Sequence, residues 1–108
     1  MNRQQLTCAT ALLGALMAAP AFAQEDQSDL ARASGCFSCH SPNEKIVGPA
    51  FKSVAERYAG QKDAVDELAM SVTNGSTRKW GRAAMPPHGN MPQADIRKLV
   101  TWVLSLKK

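Results

Sequence analysis

The chain has 108 residues, of which 44% are hydrophobic and 20% charged, so we expect one small globular domain and no second one. Its formal net charge of +4 is a mild basic surplus, and we expect no nucleic-acid partner. Small domains bury a modest share of their surface, so a chain of this size often needs a disulfide, a metal or a cofactor to stabilise it.

The first 23 residues predict a cleavable signal peptide. Arg3 is followed by an apolar run from Ala9 to Ala19, and Pro20 then precedes a small-x-small cleavage pattern that ends at Ala23. The alternative, an uncleaved membrane anchor, is disfavoured because a span needs about 20 apolar residues. We therefore expect residues 24–108 to form the mature domain, exported to the periplasm as a soluble protein with no membrane span.

The mature chain predicts an all-α domain. Hydrophobic residues recur at three and four positions in helix-like segments, while Gly and Pro interrupt the chain between them. The predicted helices lie in SDLARASGC, AFKSVAERYAG, KDAVDELAMSVTNG and QADIRKLVTWVLSLKK. Two long loops, HSPNEKIVGPAF and STRKWGRAAMPPHGNMP, remain, and loops of this length in so small a domain are usually functional.

Cys36 and Cys39, with His40 directly after them, form the most informative motif of the chain. A structural zinc site needs about four ligands, and with His88 the triplet makes four His and Cys residues in the mature chain, so all of them would have to bind the metal. A thioredoxin-like redox pair requires a βαβ pattern, and the sequence shows none. A disulfide between Cys36 and Cys39 would close a very small loop and would stabilise the fold little. The C-x-x-C-H motif instead predicts covalent haem attachment through both thiols, with the imidazole of His40 as an iron ligand.

The ligand on the other face of the iron decides between electron transfer and open-site chemistry. Met70 lies inside a predicted helix, where we expect it to pack. Met85 precedes Pro86 and Pro87, which stiffen a loop that could present one side chain, whereas Met91 lies nearer the last helix. The residues alone favour Met85 and leave Met91 open. A thioether ligand would raise the reduction potential.

The segments GCFSCHSPNEKIVGPAFKSVAERYAGQKDAVDELAMSVTNGS, WGRAAMPP and LVTWVLSLKK resemble the short bacterial class I cytochromes c of the c-551/c-552 type. The resemblance covers the mature domain from about Leu30. It implies the small cytochrome c fold, with about four helices wrapped around one covalently bound haem c and a methionine-bearing loop before the C-terminal helix. It also implies that His40 and Met85 ligate the iron.

The resemblance implies further roles around the haem. Pro49 would accept a hydrogen bond from His40 through its carbonyl, and Trp80 would donate one to a haem propionate. Ser71 stands where these proteins often carry an arginine near a propionate, so either Arg78 or Lys79 would substitute or the propionate would be more exposed. Other positions would line the pocket or the crossing of the terminal helices: Leu68, Val72, Leu99 and Trp102. His88 stands where an amide often touches the methionine sulfur, but we expect a solvated side chain there.

The predicted function is single-electron transfer between redox proteins in the periplasm, by a monomer that is not an enzyme. Candidate partners are nitrite reductase, peroxidase and terminal oxidase. The expected docking surface surrounds the haem edge with apolar residues ringed by basic ones: Phe37, Ile46, Ala83 and Ala84, with Lys45, Arg78, Lys79 and Arg82. Two alternatives are a haem enzyme or gas sensor with a labile methionine ligand, and a membrane-tethered oxidase subunit.

Overall fold

The computed structural model describes Gly14 and residues 25–106. The predicted signal peptide, residues 1–23, lies outside the described part of the chain apart from Gly14. Its cleavage stays a prediction.

The described residues form four α-helices, which confirms the predicted all-α class. These are α1 (Ser28–Ala33), α2 (Phe51–Arg57), α3 (Ala64–Asn74) and α4 (Gln93–Leu104). A 3₁₀ turn, Cys36–Ser38, follows α1 after Gly35, whose φ of 81° is left-handed and favours glycine. The first predicted helix is therefore shorter than its segment, because the chain reverses before the first cysteine.

Helix α4 is the centre of the hydrophobic core. It packs against α2, α3 and α1, and its buried face consists of Ile96, Leu99, Val100, Trp102 and Val103. These residues recur at three and four positions, the spacing that predicted the helix. The ring of Trp102 meets Phe51 of α2 edge-on, with centroids 5.7 Å apart at 76°. The core thus joins the last helix to the start of α2.

Each of the two long loops contains one isolated backbone bridge between two of its own residues. His40 pairs with Lys45 in the first loop, and Ser76 pairs with Met85 in the second. Within residues 25–106 these bridges occur outside any strand. Each bridge therefore includes one of the candidate ligands, His40 or Met85.

Between Glu25 and Leu106, no helix is long and apolar enough to cross a membrane.

Candidate cofactor site

A cavity of about 290 Å³ opens between α2, α3, α4 and the two long loops. Most of its lining is apolar, with Phe51, Leu68 and Val100 on the helices that surround it. All six residues that the sequence predicts for the site line this one cavity: Cys36, Cys39, His40, Pro49, Trp80 and Met85. The fold therefore brings together residues that are up to 49 positions apart in the chain.

The 3₁₀ turn places both thiols and the imidazole at the cavity wall. The backbone N–H groups of Cys39 and His40 both donate to the carbonyl of Cys36, at 3.2 and 2.9 Å. Cys36 and Cys39 are free and half-buried. Burial raises the pKa of the Cys36 thiol and outweighs a backbone hydrogen bond that lowers it.

The imidazole of His40 is held in one orientation by three neighbours. Its Nδ1 lies 2.7 Å from the carbonyl oxygen of Pro49. Because a carbonyl only accepts, Nδ1 carries the proton and Nε2 keeps a free lone pair. The ring stacks on Phe51 at 4.9 Å, and a Cβ on Gly48 would lie 2.7 Å from its Cε1. Only glycine at position 48 leaves the ring in place.

Met85 is fixed against the C-terminal end of α3. Its N–H donates to the carbonyl of Ser76 at 2.8 Å, and its carbonyl accepts from the N–H of Ser76 at 3.0 Å. Three residues later, the N–H of His88 donates to the carbonyl of Val72 at 2.8 Å. Gly75 makes this approach possible, because a Cβ there would lie 2.6 Å from the Met85 carbonyl oxygen. Both ends of the Met85 turn are therefore bonded to α3 or its end.

The other methionines behave differently. Met91 is half-buried and packs against the hydrophobic core without lining the cavity. The expectation that Met70 packs is wrong, since its side chain is 64% exposed on α3. It points away because the inner face of α3 is taken by Leu68, Ala69 and Ser71. Among the methionines at residues 25–106, only Met85 lines the cavity.

The expectation of a solvated His88 is also wrong. Its side chain is half-buried and lines the cavity, and its Nδ1 is fully buried with no hydrogen-bond partner among the described residues. A buried polar atom without a partner is costly. Its position predicts a partner inside the cavity that residues 25–106 do not provide.

Arg57 of α2 holds the second loop beside the cavity. Its guanidinium donates to the carbonyl of Lys79 at 2.7 Å and lies 4.4 Å above the centre of the Trp80 ring. The ammonium of Lys79 in turn donates to the hydroxyl of Ser71 at 2.8 Å. The role of Arg57 could not be predicted from the sequence, because no spacing rule relates a helix residue to a loop 22 positions later.

The pocket positions implied by the resemblance divide into two groups. Leu68, Val72 and Leu99 line the cavity. Trp102 lies behind this wall, buried against Phe51. Together with the two thiols, an imidazole with a free Nε2 and a thioether, these apolar walls fit a covalently bound haem. The buried Nδ1 of His88 has no partner among the described residues, which is compatible with a group that occupies the cavity beside it.

We predict that Gly75→Ala destabilises the protein more than Gly60→Ala does. Both glycines have left-handed φ angles, 77° and 78°, so both substitutions cost about 1–2 kcal/mol in backbone strain. Gly60 has open space around it, whereas a Cβ at Gly75 meets the Met85 carbonyl. Gly75 also has a ψ of 172°, a combination adopted almost only by glycine. The free energies of unfolding measured in denaturant should differ accordingly. Equal losses would mean that the Met85 turn moves away freely.

Solved structures and characterised proteins resemble this chain over most of its length. The crystal structure of wild-type cytochrome c552 from Nitrosomonas europaea superposes with a TM-score of 0.72 at 42% identity, covering 74% of this chain and 99% of that one. Cytochrome c-551 of Allochromatium vinosum is 49% identical over 71% of this chain and 82% of that protein. Cytochrome c-551 of Stutzerimonas stutzeri is 44% identical over 90% of this chain and 91% of that protein.

The sequence model of the cytochrome c family matches residues 24–107. That range contains every cavity residue described above. Family members and the similar proteins are haem c proteins, so the fold class, the resemblance and the covalent haem c expected from the sequence are confirmed. The chain belongs to the cytochrome c family, and its relatives are electron-transfer haem proteins.

Proposed function

We propose that this protein is a periplasmic carrier of single electrons whose haem c is attached through Cys36 and Cys39 and ligated by His40 and Met85. The observation that carries the proposal is the apolar cavity that all four residues line. The haem iron supplies the one-electron change between its ferrous and ferric forms. The chain provides attachment, ligands, surroundings and a docking surface.

The cysteines anchor the cofactor. Cys36 and Cys39 lie at the start and just after the end of one 3₁₀ turn, and their thiols occupy the same wall of the cavity. Addition of each thiol to a vinyl group forms a thioether without loss of any atom. The short connection to His40 then keeps the imidazole against the same cofactor.

We predict that acid-acetone extraction leaves the haem with the polypeptide. Cys36→Ala and Cys39→Ala should each retain the haem through the remaining thioether, and the double variant should release it. Absorbance of the organic and aqueous phases measures the outcome. Haem that extracts freely from the wild-type protein would contradict the proposed attachment.

His40 suits an iron ligand because its hydrogen bond leaves the correct nitrogen free. Donation from Nδ1 to Pro49 fixes the tautomer and the ring orientation, and such bonds also make the free nitrogen more basic. Phe51 stacks on the ring, and the absence of a Cβ at Gly48 leaves room for the ring in this position. The residue thus needs little rearrangement to bind iron.

Met85 is supported as the second ligand by its place in the cavity and by the two hydrogen bonds to Ser76. A ligand held by the backbone on both sides resists displacement, which favours electron transfer over the alternative of a haem enzyme or gas sensor. Met91, the alternative ligand, packs in the core instead. A thioether stabilises ferrous iron and raises the potential.

We predict that Met85→Ala abolishes the weak thioether-to-iron charge-transfer band near the red end of the visible spectrum and lowers the reduction potential. Met91→Ala is the matched control, because it removes an equal side chain from the same loop and should leave the band in place. Optical spectra of the two oxidised variants decide whether Met85 or Met91 is the iron ligand. Loss of the band in the Met91 variant alone would reassign the ligand.

Periplasmic export is supported by residues 1–23, with Arg3, the apolar run and the Ala21-Phe22-Ala23 pattern of a signal peptide. The proposed mature domain, residues 24–108, carries the cofactor site and acts as a monomer. A membrane-tethered subunit would require the leader to remain attached. The N-terminal sequence of the protein isolated from its host distinguishes the two.

The proposed docking surface surrounds the rim of the cavity. Ala83, Ala84 and Val47 are exposed and also line the cavity, and the neighbouring Ile46 is 55% exposed. Phe37, which we had also expected there, instead packs partly against the core near Phe51. The rim therefore offers a small apolar contact for a redox partner, which must approach closely to exchange electrons.

Basic residues on the two loops would orient an acidic partner. Lys45, Arg78 and Arg82 are exposed. Lys79 departs from the expected ring, because its ammonium is bonded to Ser71 and lies 3.6 Å from the carboxylate of Glu67. The acidic Glu67 of α3 therefore lies close to the basic residues of the second loop. The rim charges are expected to act mainly on the association rate.

We predict that reversing Lys45 and Arg82 to Glu slows electron transfer to an acidic acceptor severalfold at low ionic strength. The difference should shrink at 1 M salt, where the Debye length is about 3 Å. Reversing Lys62 and Lys98 to Glu gives a control with the same net charge change, since both are exposed and neither lines the cavity. Stopped-flow rates that respond equally to both pairs would argue against a directed docking surface.

A further inference from the structure

Lys79 occupies an unusual position at the otherwise apolar cavity. Among the described residues that line the cavity, it is the only lysine or arginine. Its side chain is 35% exposed, so it lies between the cavity and solvent and does not extend freely into water. A cation in this place needs an anionic or accepting partner.

The ammonium of Lys79 is held in a fixed place by contacts at both ends of the residue. Arg57 donates to its backbone carbonyl at 2.7 Å, which ties this part of the loop to α2. The ammonium donates to the hydroxyl of Ser71 on α3 at 2.8 Å. Ser71 itself donates to the carbonyl of Glu67 at 3.2 Å, so its oxygen is left to accept from Lys79.

The contacts of Lys79 leave part of its hydrogen-bonding capacity unused. An ammonium has three N–H donors. Ser71 accepts one, and the Glu67 carboxylate at 3.6 Å is close enough for attraction but beyond hydrogen-bond distance. The other carboxylate oxygen of Glu67 accepts from Gln61 at 2.5 Å. At least one donor of Lys79 is therefore available at the edge of the cavity.

Haem carries propionate side chains, which are carboxylates at neutral pH. A carboxylate at an apolar cavity is stabilised where a cation and a second donor meet it. Lys79 provides the cation, and the adjacent Trp80, whose ring is held under Arg57, adds an indole N–H at the same cavity. Arg78, the other cation considered for this role, is exposed and does not line the cavity.

We propose that Lys79, oriented by Ser71, is the positioning residue that binds one haem propionate in this protein. Lys79 would thereby offset the negative charge of that carboxylate, and Arg78 takes no part. The inference rests on the proposed occupation of this cavity by haem. It adds a charged contact, specific to the residues at positions 71 and 79, that neither the attachment motif nor the iron ligands require.

The test uses the complete haem protein and the Lys79→Gln, Lys79→Arg and Arg78→Gln variants. Lys79→Gln should shift the resonance Raman propionate-bending modes and lower the midpoint potential, because an uncompensated carboxylate favours ferric iron. Lys79→Arg keeps the positive charge, so its propionate-bending modes and its midpoint potential should lie close to those of the wild-type protein. Arg78→Gln removes an equal charge one residue away and should leave the bending modes unchanged.

Ser71→Ala provides a second variant if Lys79→Gln folds poorly. It removes the hydroxyl that orients the ammonium, and it should shift the same modes in the same direction by a smaller amount. Bending modes that do not respond to either substitution, or that respond equally to Lys79→Gln and Arg78→Gln, would overturn the proposal. A failure of the functional proposal itself would be recognised separately, because the wild-type protein would then lack covalent haem or the thioether-to-iron band.

Discussion

The fold depends on one constraint: its helices surround a cavity that they cannot fill themselves. Protein interiors are close-packed, and large voids are rare. The cavity of about 290 Å³ is lined mostly by apolar side chains, whose contact with water is unfavourable until an apolar group covers them. The haem is therefore part of the hydrophobic core. Residues such as Leu68, Leu99 and Val100 belong to the core and to the cofactor site at once.

Each loop is tied to a helix next to the group that it presents to the cofactor. In the first loop, Pro49 precedes α2 and accepts from His40, so the start of the helix sets the orientation of the imidazole. In the second, the hydrogen bonds of Met85 to Ser76 join the loop to the end of α3. Arg57 reaches from α2 to the same loop. Because rigid elements hold both candidate ligands, little rearrangement is needed when the iron changes charge, which suits an electron carrier.

Features determined by local pattern could be predicted from the sequence, and features determined by tertiary contact could not. The spacing of Ile96, Leu99 and Val103 was enough to predict α4, and the cysteine motif predicted the cofactor.

Met70 was mistaken for a packing residue because helical periodicity does not say which face meets the core when both faces carry apolar groups. The burial of His88 and the contact of Lys79 with Ser71 depend on how the second loop returns to α3, and no local rule describes that return. Gly75 looked like a simple helix end, whereas its lack of a Cβ is what admits the Met85 turn.

The most direct test of this account is the thermal unfolding of the haem-free chain, produced without haem attachment and compared with the complete protein by circular dichroism. If the cofactor is part of the core, the haem-free chain has little fixed tertiary structure, with weak near-ultraviolet signals and no cooperative transition, while the haem protein melts cooperatively. A haem-free chain with native-like signals and a cooperative melt would contradict the account, because the helices would then be able to close the cavity by themselves.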